Sequence, residues 1–312
     1  MNDIKVSICC TAYNHENYIR QAIEGFLMQK TNFNFEVLIH DDASTDKTAE
    51  IIKEYELKYP NIIKPIYQTE NQLSKGVSIS RTYLYPNAKG EYIAWCEGDD
   101  FWIDENKLQR QVDFLDENKQ YSACVHRYIT VNEFGEETNL KTFGYYEDEG
   151  IYTLKDFEQK ELPSQLATYV ARNIFLQENV SYPQIFDTVK IQGDVKIALY
   201  LLTYGDFYRL SDISSAYRFV CKKGGASWSS RQLSNPYASY KRWKEYRKLE
   251  KAYYKEYSNH INLKRRRINA AVDVIKAMFK KFNLKTIRNA FVVLIMQRGL
   301  VLALLKSLFK KK

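Results

Sequence analysis

Tyr92-Ile93-Ala94-Trp95-Cys96-Glu97-Gly98-Asp99-Asp100 runs an apolar stretch straight into three carboxylates within four positions. The apolar half reads as a buried strand and the acidic half as the turn that ends it. Carboxylates this close repel one another. A hard divalent cation, which takes oxygen ligands and binds phosphates, relieves that repulsion. Taken alone, the stretch is equally readable as an acidic, solvated turn.

The same grammar recurs toward the N-terminus. Val6-Ser7-Ile8-Cys9-Cys10 leads to Thr11-Ala12-Tyr13-Asn14 and then to a helical pattern through Ile19, Ala22, Ile23, Phe26 and Leu27. Phe35-Glu36-Val37-Leu38-Ile39-His40 leads to Asp41-Asp42-Ala43-Ser44-Thr45-Asp46 and an amphipathic run to Tyr59. Both are βα units, and open α/β sheets bind ligands beyond the carboxyl ends of their strands. Acids at two such ends therefore predict one shared crevice. Asp46 reads as a helix N-cap, whereas capping accounts for at most one of Asp41 and Asp42.

These three motifs, together with Trp102, resemble in order and spacing the family-2 inverting, nucleotide-sugar-dependent glycosyltransferases of GT-A fold, over roughly residues 1–230. Asp100-Phe101-Trp102-Ile103-Asp104, followed by Lys107-Leu108-Gln109, is similar to the bacterial surface-polysaccharide members. The resemblance implies an α/β fold. Residues 1–235 would be the GT-A domain: a Rossmann-like nucleotide-sugar half to about residue 120, then an acceptor half. It implies metal-dependent, inverting transfer of one hexosyl or N-acetylhexosaminyl unit, the donor being a nucleotide-diphosphate sugar, UDP-sugar foremost. The acceptor it implies is a hydroxyl of a polyprenyl-diphosphate-linked glycan in capsular, O-antigen or exopolysaccharide synthesis. The Gln-x-x-Arg-Trp signature of processive members is absent from the sequence, which favours single-sugar transfer.

Carried over residue by residue, Mn²⁺ or Mg²⁺ falls to Asp99, with Glu97 and Asp100. The nucleotide-sugar falls to Thr11, Ala12, Tyr13, Asn14, Asp41, Asp42, Ser44, Arg81, Glu97, Gly98, Asp99, Lys222 and Lys223. Asp194, which the pattern sets just before a helix, falls where relatives keep the catalytic base; N-capping is its plainer reading. Four positions depart from the family: Thr11 for a proline, Glu97 for an aspartate, Gly193 for an acid, and Cys221-Lys222-Lys223 where relatives carry a histidine. The Glu97 and Gly193 departures leave open a non-catalytic, membrane-associated partner of the same fold. A nucleotidyltransferase would carry a glycine-rich phosphate loop after its first strand, and Thr11-Ala12-Tyr13-Asn14 is not one.

Charge divides the chain. Of 312 residues, the stretch from Pro236 onward holds 21 Lys/Arg against 4 Asp/Glu, or +17, while residues 1–235 sum to −9. A nucleic-acid-binding catalytic region would carry the positive charge itself, so nucleic acid is excluded as substrate. Cys9, Cys10, Cys96, Cys124 and Cys221 are odd in number and lack metal-ligand spacing, which predicts reduced, buried thiols. The opening Met1-Asn2-Asp3-Ile4-Lys5 has no signal-peptide pattern.

Residues 236–312 read as a basic helical tail. Tyr240, Trp243, Tyr246, Leu249, Tyr253 and Tyr257 recur at helical spacing, and Ile268 to Phe282 is amphipathic. Ala290 to Leu305 is almost wholly apolar, interrupted by Gln297-Arg298-Gly299 and flanked by Lys306 and Lys310-Lys311-Lys312. This predicts an interfacial helix on an anionic membrane surface, and so a cytoplasmic protein peripheral on the inner face of the bacterial plasma membrane. Packing on the catalytic domain, or homo-oligomer formation through these helices, is the alternative.

Overall fold

A computed structural model of the chain describes residues 4–142, 144–159, 162–176, 183–220 and 235–297. The apolar runs become strands: β1 (Ile4–Ala12), β2 (Asn34–Asp41), β3 (Ile63–Tyr67) and β4 (Tyr92–Trp95). They lie parallel in the order β3-β2-β1-β4. Residues 6–10 and 36–41 are continuously buried, as parallel strands covered on both faces require. Between them, α1 (Ile19–Leu27) and α2 (Thr48–Lys58) make the crossovers. The α1 positions predicted to face inward, Ile19, Ala22, Ile23 and Phe26, are all buried. Each large apolar side chain so placed contributes about 1.5–3 kcal/mol.

Beyond β4 come β5 (Phe101–Trp102), α3 (Lys107–Glu117), β6 (Tyr121–Val131), β7 (Glu137–Thr138) and β8 (Gly150–Tyr152). Then follow α4 (Leu154–Gln159), β9 (Val170–Arg172), α5 (Gln184–Thr188), α6 (Gly193–Leu201) and β10 (Asp206–Arg218). The sheet continues β4-β9-β6-β10-β5, with β9 antiparallel to both its neighbours, and β7 and β8 pair with β6 and β10. Parallel order thus breaks beside β4, the strand that leads into the acidic turn.

The string from Asp100 to Gln111 is scaffold for that turn. Trp102 is buried; its Nε1 donates to Ala167 O at 2.8 Å, and Phe26 meets it edge-on at 4.9 Å between centroids. Lys107 is fully buried, with Nζ 4.1 Å from the Trp102 ring centroid and donating to Gln111 Oε1 at 2.8 Å. Burial holds its pKa down to about 7. Cys9, Cys10, Cys96 and Cys124 are buried free thiols, as expected, while Cys221 lies outside the described residues.

Two compact units divide the chain. Met1–Thr153, Leu162–Ser181 and Leu201–Arg218 form one, which holds the sheet; Leu154–Glu161, Tyr182–Tyr200 and Phe219–Lys312 form the other. In the second, α7 (Ala238–Tyr257), α8 (Lys264–Lys280) and α9 (Leu284–Met296) pack successively, α5 lying against α7 and α4 against α8. Trp243, Tyr246, Leu249 and Tyr253 are the buried aromatic and aliphatic residues of α7. The last apolar stretch begins its helix earlier than expected, because Asn283 and Thr286 form a reciprocal capping box ahead of it. Residues 298–312, with Arg298, Lys306 and Lys310, lie outside the described residues. Among those described, no helix is long and apolar enough to cross a membrane.

Candidate active site

Backbone hydrogen bonds continue past the strand ends and lace the loops of β1, β2 and β4 together. Cys96 N donates to Cys9 O at 3.2 Å, Gly98 N to Thr11 O at 2.9 Å, and Asp42 N to Ala12 O at 3.0 Å. Residues 11–14, 41–44 and 97–100 are thereby gathered at one edge of the sheet, as the strand-end argument predicts.

The acidic turn occupies the β4 side of this edge, next to the β1 loop. One ligand oxygen from each of Glu97, Asp99 and Asp100 lies within 4.8 Å of the others. Glu97 is exposed, Asp99 intermediate and Asp100 buried. Burial pushes the Asp100 carboxyl well above the ordinary range, and the Asp99 and Glu97 charges push it further. An all-oxygen set of mutually repelling carboxylates suits a hard divalent cation. Gly98 packs closely: a Cβ there would lie 2.9 Å from both His15 Nδ1 and Ile19 Cδ1, so those side chains would have to shift to admit one.

The flanking loops are held by short polar contacts. Asn14 and Ala43 adopt left-handed backbone, with φ of 56° and 59°. The Asn14 N–H donates to Ser44 Oγ at 2.9 Å, and its Oδ1 accepts from Thr45 N at 2.8 Å. The buried Asp41 carboxylate accepts from the Ser44 hydroxyl and N–H; the buried Asp42 carboxylate accepts from Gln72 N at 2.7 Å and Leu73 N at 3.1 Å. Both acids thus organise loops. Asp46 accepts from the Thr48 N–H and hydroxyl at the head of α2, and from Glu16 N. Tyr13 is 44% exposed, and Arg81 lies in a π-helical turn at Ser80–Leu84, a geometry common at functional sites.

Asp194 belongs to the other compact unit. It was expected just before α6, but the structure makes it the second residue of that helix, behind Gly193. Its Oδ1 accepts from Val195 N at 2.7 Å, a next-neighbour bond rather than the N2 or N3 bond of an N-cap. Loss of hydration pushes this partly exposed carboxyl up to about 6, against the opposing effects of the Val195 N–H and the Arg266 charge. Lys222 and Lys223 lie outside the described residues.

The profile of the family described as "Glycosyl transferase family 2" matches residues 7–178, which contain the three strand ends and the acidic turn. The chain belongs to glycosyl transferase family 2. An uncharacterized protein of Mycobacterium tuberculosis is 44% identical over 130 residues, 42% of this chain and 37% of its own length. The Escherichia coli UDP-Glc:alpha-D-GlcNAc-diphosphoundecaprenol beta-1,3-glucosyltransferase WfaP is 36% identical over 124 residues, 40% of this chain and 46% of its own. The chain thus spans less than half the length of these curated relatives. The S. aureus TarS 1–349 structure in complex with UDP-GlcNAc superposes with a TM-score of 0.63 at 17% identity, covering 96% of this chain and 82% of that one. That likeness gives the GT-A fold.

Two members of the turn's surroundings escaped the sequence reading. Arg218, buried at the end of β10, donates from its main-chain N–H to Asp100 Oδ1 and from Nε to Asp99 O, both at 2.8 Å. Its guanidinium also reaches Asn132 O, Glu133 O and Gln21 Oε1, and lies 4.5 Å from the Tyr18 ring centroid. His15 sets Nε2 4.0 Å from Asp99 Oδ2. Neither carries a local signal, because each acts on a residue distant in sequence.

Proposed function

We propose that this family-2 enzyme transfers one hexosyl or N-acetylhexosaminyl unit from a nucleoside-diphosphate sugar, UDP-sugar foremost, to a polyprenyl-diphosphate-linked glycan in bacterial surface-polysaccharide synthesis. The observation that carries the reading is the Glu97-Asp99-Asp100 carboxylate set at the laced strand ends of a family-2 fold. The printed activity of WfaP, and the UDP-GlcNAc complex of TarS, support the choice of donor and acceptor class. In this reading residues 1–235 carry the transfer, and 236–312 hold the protein at the cytoplasmic face of the plasma membrane.

Asp99, with Glu97 and Asp100, would hold Mn²⁺ or Mg²⁺, which when bound neutralises charge on the diphosphate leaving group. The exposed Tyr13 ring offers a stacking face for the base. Thr11, Ala12, Asn14 and Ser44, with Asp41 and Asp42, shape the nucleoside site; Gly98, packed against His15 and Ile19, belongs to the diphosphate site through the turn's main chain. Arg81, Lys222 and Lys223 supply positive charge for the phosphates. Asp194 takes the proton of the acceptor hydroxyl, and a carboxyl near 6 is ionised at neutral pH while remaining a stronger base than an ordinary aspartate.

The test is a panel of nucleotide-sugars incubated with the full chain, Mn²⁺ and a polyprenyl-diphosphate sugar acceptor. Release of nucleoside diphosphate with one added sugar on the lipid is the expected result. Cleavage of the donor to nucleoside monophosphate and sugar 1-phosphate, or no turnover with any donor, overturns the reading.

A further inference from the structure

The last described helix buries a mixed side and leaves large apolar residues outside. In α9 the buried residues are Thr286, Asn289, Ala290 and Val293. Leu284, Phe291 and Ile295 are 88%, 64% and 64% exposed. With the exposed Arg288, these three follow i, i+4, i+7 and i+11 spacing and make a single stripe along the outer side. A helix facing water would carry polar residues there. The end of α8 and the connection to α9 add Phe279 and Phe282, 75% and 77% exposed. Scattered apolar residues on a surface are ordinary, whereas a contiguous row marks an interaction surface.

Charge selects the occupant. From Val274 to Gln297 the chain carries Lys276, Lys280, Lys281, Lys285 and Arg288, all exposed, and no acid. A second copy docking through the same face would set these cations against their own counterparts, which penalises a two-fold contact. An anionic lipid surface satisfies both features: headgroups meet the cations, and the acyl boundary takes the apolar stripe. At 13 residues α9 is too short to span a bilayer, which needs about 20. We infer that α9, with the end of α8, lies in the plane of an anionic membrane with Leu284, Phe291 and Ile295 inserted at the headgroup boundary. The inference deepens the membrane part of the proposed function, yet rests on exposure and charge that are independent of the transfer reaction.

The test uses the full chain and vesicles of phosphatidylcholine with or without phosphatidylglycerol. Combined Leu284→Ser, Phe291→Ser and Ile295→Ser should lower partitioning at least about tenfold. Combined Lys281→Gln, Lys285→Gln and Arg288→Gln should abolish the preference for phosphatidylglycerol. Phe291→Trp, a conservative change that keeps the helix intact, should shift its fluorescence to the blue on anionic vesicles relative to the wild-type change. Undiminished partitioning of the serine variant, no shift in Phe291→Trp, or a dimer in sedimentation that the serine variant dissociates overturns the inference. Nucleoside diphosphate release measured on the same proteins separates the two readings. If none turns over any donor while partitioning behaves as stated, the transferase reading fails and the lipid surface stands.

Discussion

The main-chain N–H of Arg218 donates to the buried carboxylate of Asp100 at 2.8 Å across 118 positions of sequence, so the last residue of β10 closes on the last acid of the turn after β4. The Arg218 side chain continues the closure through Asp99 O. With Asn132 O, Glu133 O and Gln21 Oε1 as its further acceptors, the buried arginine side chain ties the turn's backbone at Asp99 to its surroundings.

Arg218→Gln should therefore weaken Mn²⁺ binding at least about tenfold, besides lowering stability by the roughly 1–3 kcal/mol of leaving buried acceptors without their donor. Arg218→Lys should not rescue the affinity, because an ammonium cannot reproduce the planar fork. Mn²⁺ titration followed by calorimetry, with melting temperature measured alongside, checks this. Unchanged affinity in a folded Gln variant means that the turn holds itself.

Removal of the metal should stop transfer. An excess of chelator abolishes nucleoside diphosphate release, Mn²⁺ or Mg²⁺ restores it, and Asp99→Ala is restored by neither. Full turnover in chelator removes the cation from the reading of the acidic turn.

Gly98→Ala places a methyl against His15 Nδ1 and Ile19 Cδ1 at 2.9 Å. Overpacking of this kind costs about 1–3 kcal/mol. The strain falls on the residue between Glu97 and Asp99, so Mn²⁺ affinity should fall along with the denaturation midpoint.

Asp194→Asn should lower turnover about 10²–10⁴-fold with donor affinity nearly unchanged. In the wild type the rate should fall as pH drops through about 6, where the carboxyl takes up its proton. The stability sign is opposite to that of a salt-bridged aspartate. A folded pKa raised above the unfolded one gives stability below the ordinary range near 4 that is lost as pH rises through about 6. The Asn variant should then melt no lower than wild type at pH 8. A loss of melting temperature with activity retained points to a helix-stabilising role instead.

Lys107→Met replaces a buried amine whose pKa is held down to about 7. The folded state favours the neutral amine, so wild-type stability declines as pH falls from the ordinary lysine value near 10.4 toward about 7. Relative to wild type, the Met variant should gain stability over that window and level off below it. Urea midpoints at pH 7 and pH 10 decide the matter, and a pH-independent difference would show that the amine remains charged throughout.

Much of the strand-end edge was legible because its signals are short-range. The apolar runs ending at Cys10, His40 and Cys96, each followed by a polar turn, specify parallel strands whose carboxyl ends meet. The 3.6-residue period of Ile19, Ala22, Ile23 and Phe26 specifies the crossover. Lys107 and Gln111 carry no sequence signal of burial, since polar residues on a helix ordinarily face water; only the packing of Trp102 against α3 makes them internal.

The sequence by itself determined the βα order, the acidic turn and the split in charge at Pro236, because each rests on neighbours within a few residues. Tertiary structure alone decided that Arg218 and His15 stand at the acidic turn, and that α9 turns Leu284, Phe291 and Ile295 outward while burying Thr286 and Asn289. Strand pairing sets the first, because β10 against β6 and β5 brings Arg218 to the turn and β1 against β4 brings the loop that carries His15. The choice of helix face sets the second, because a segment apolar on most sides does not encode which side its neighbours will cover.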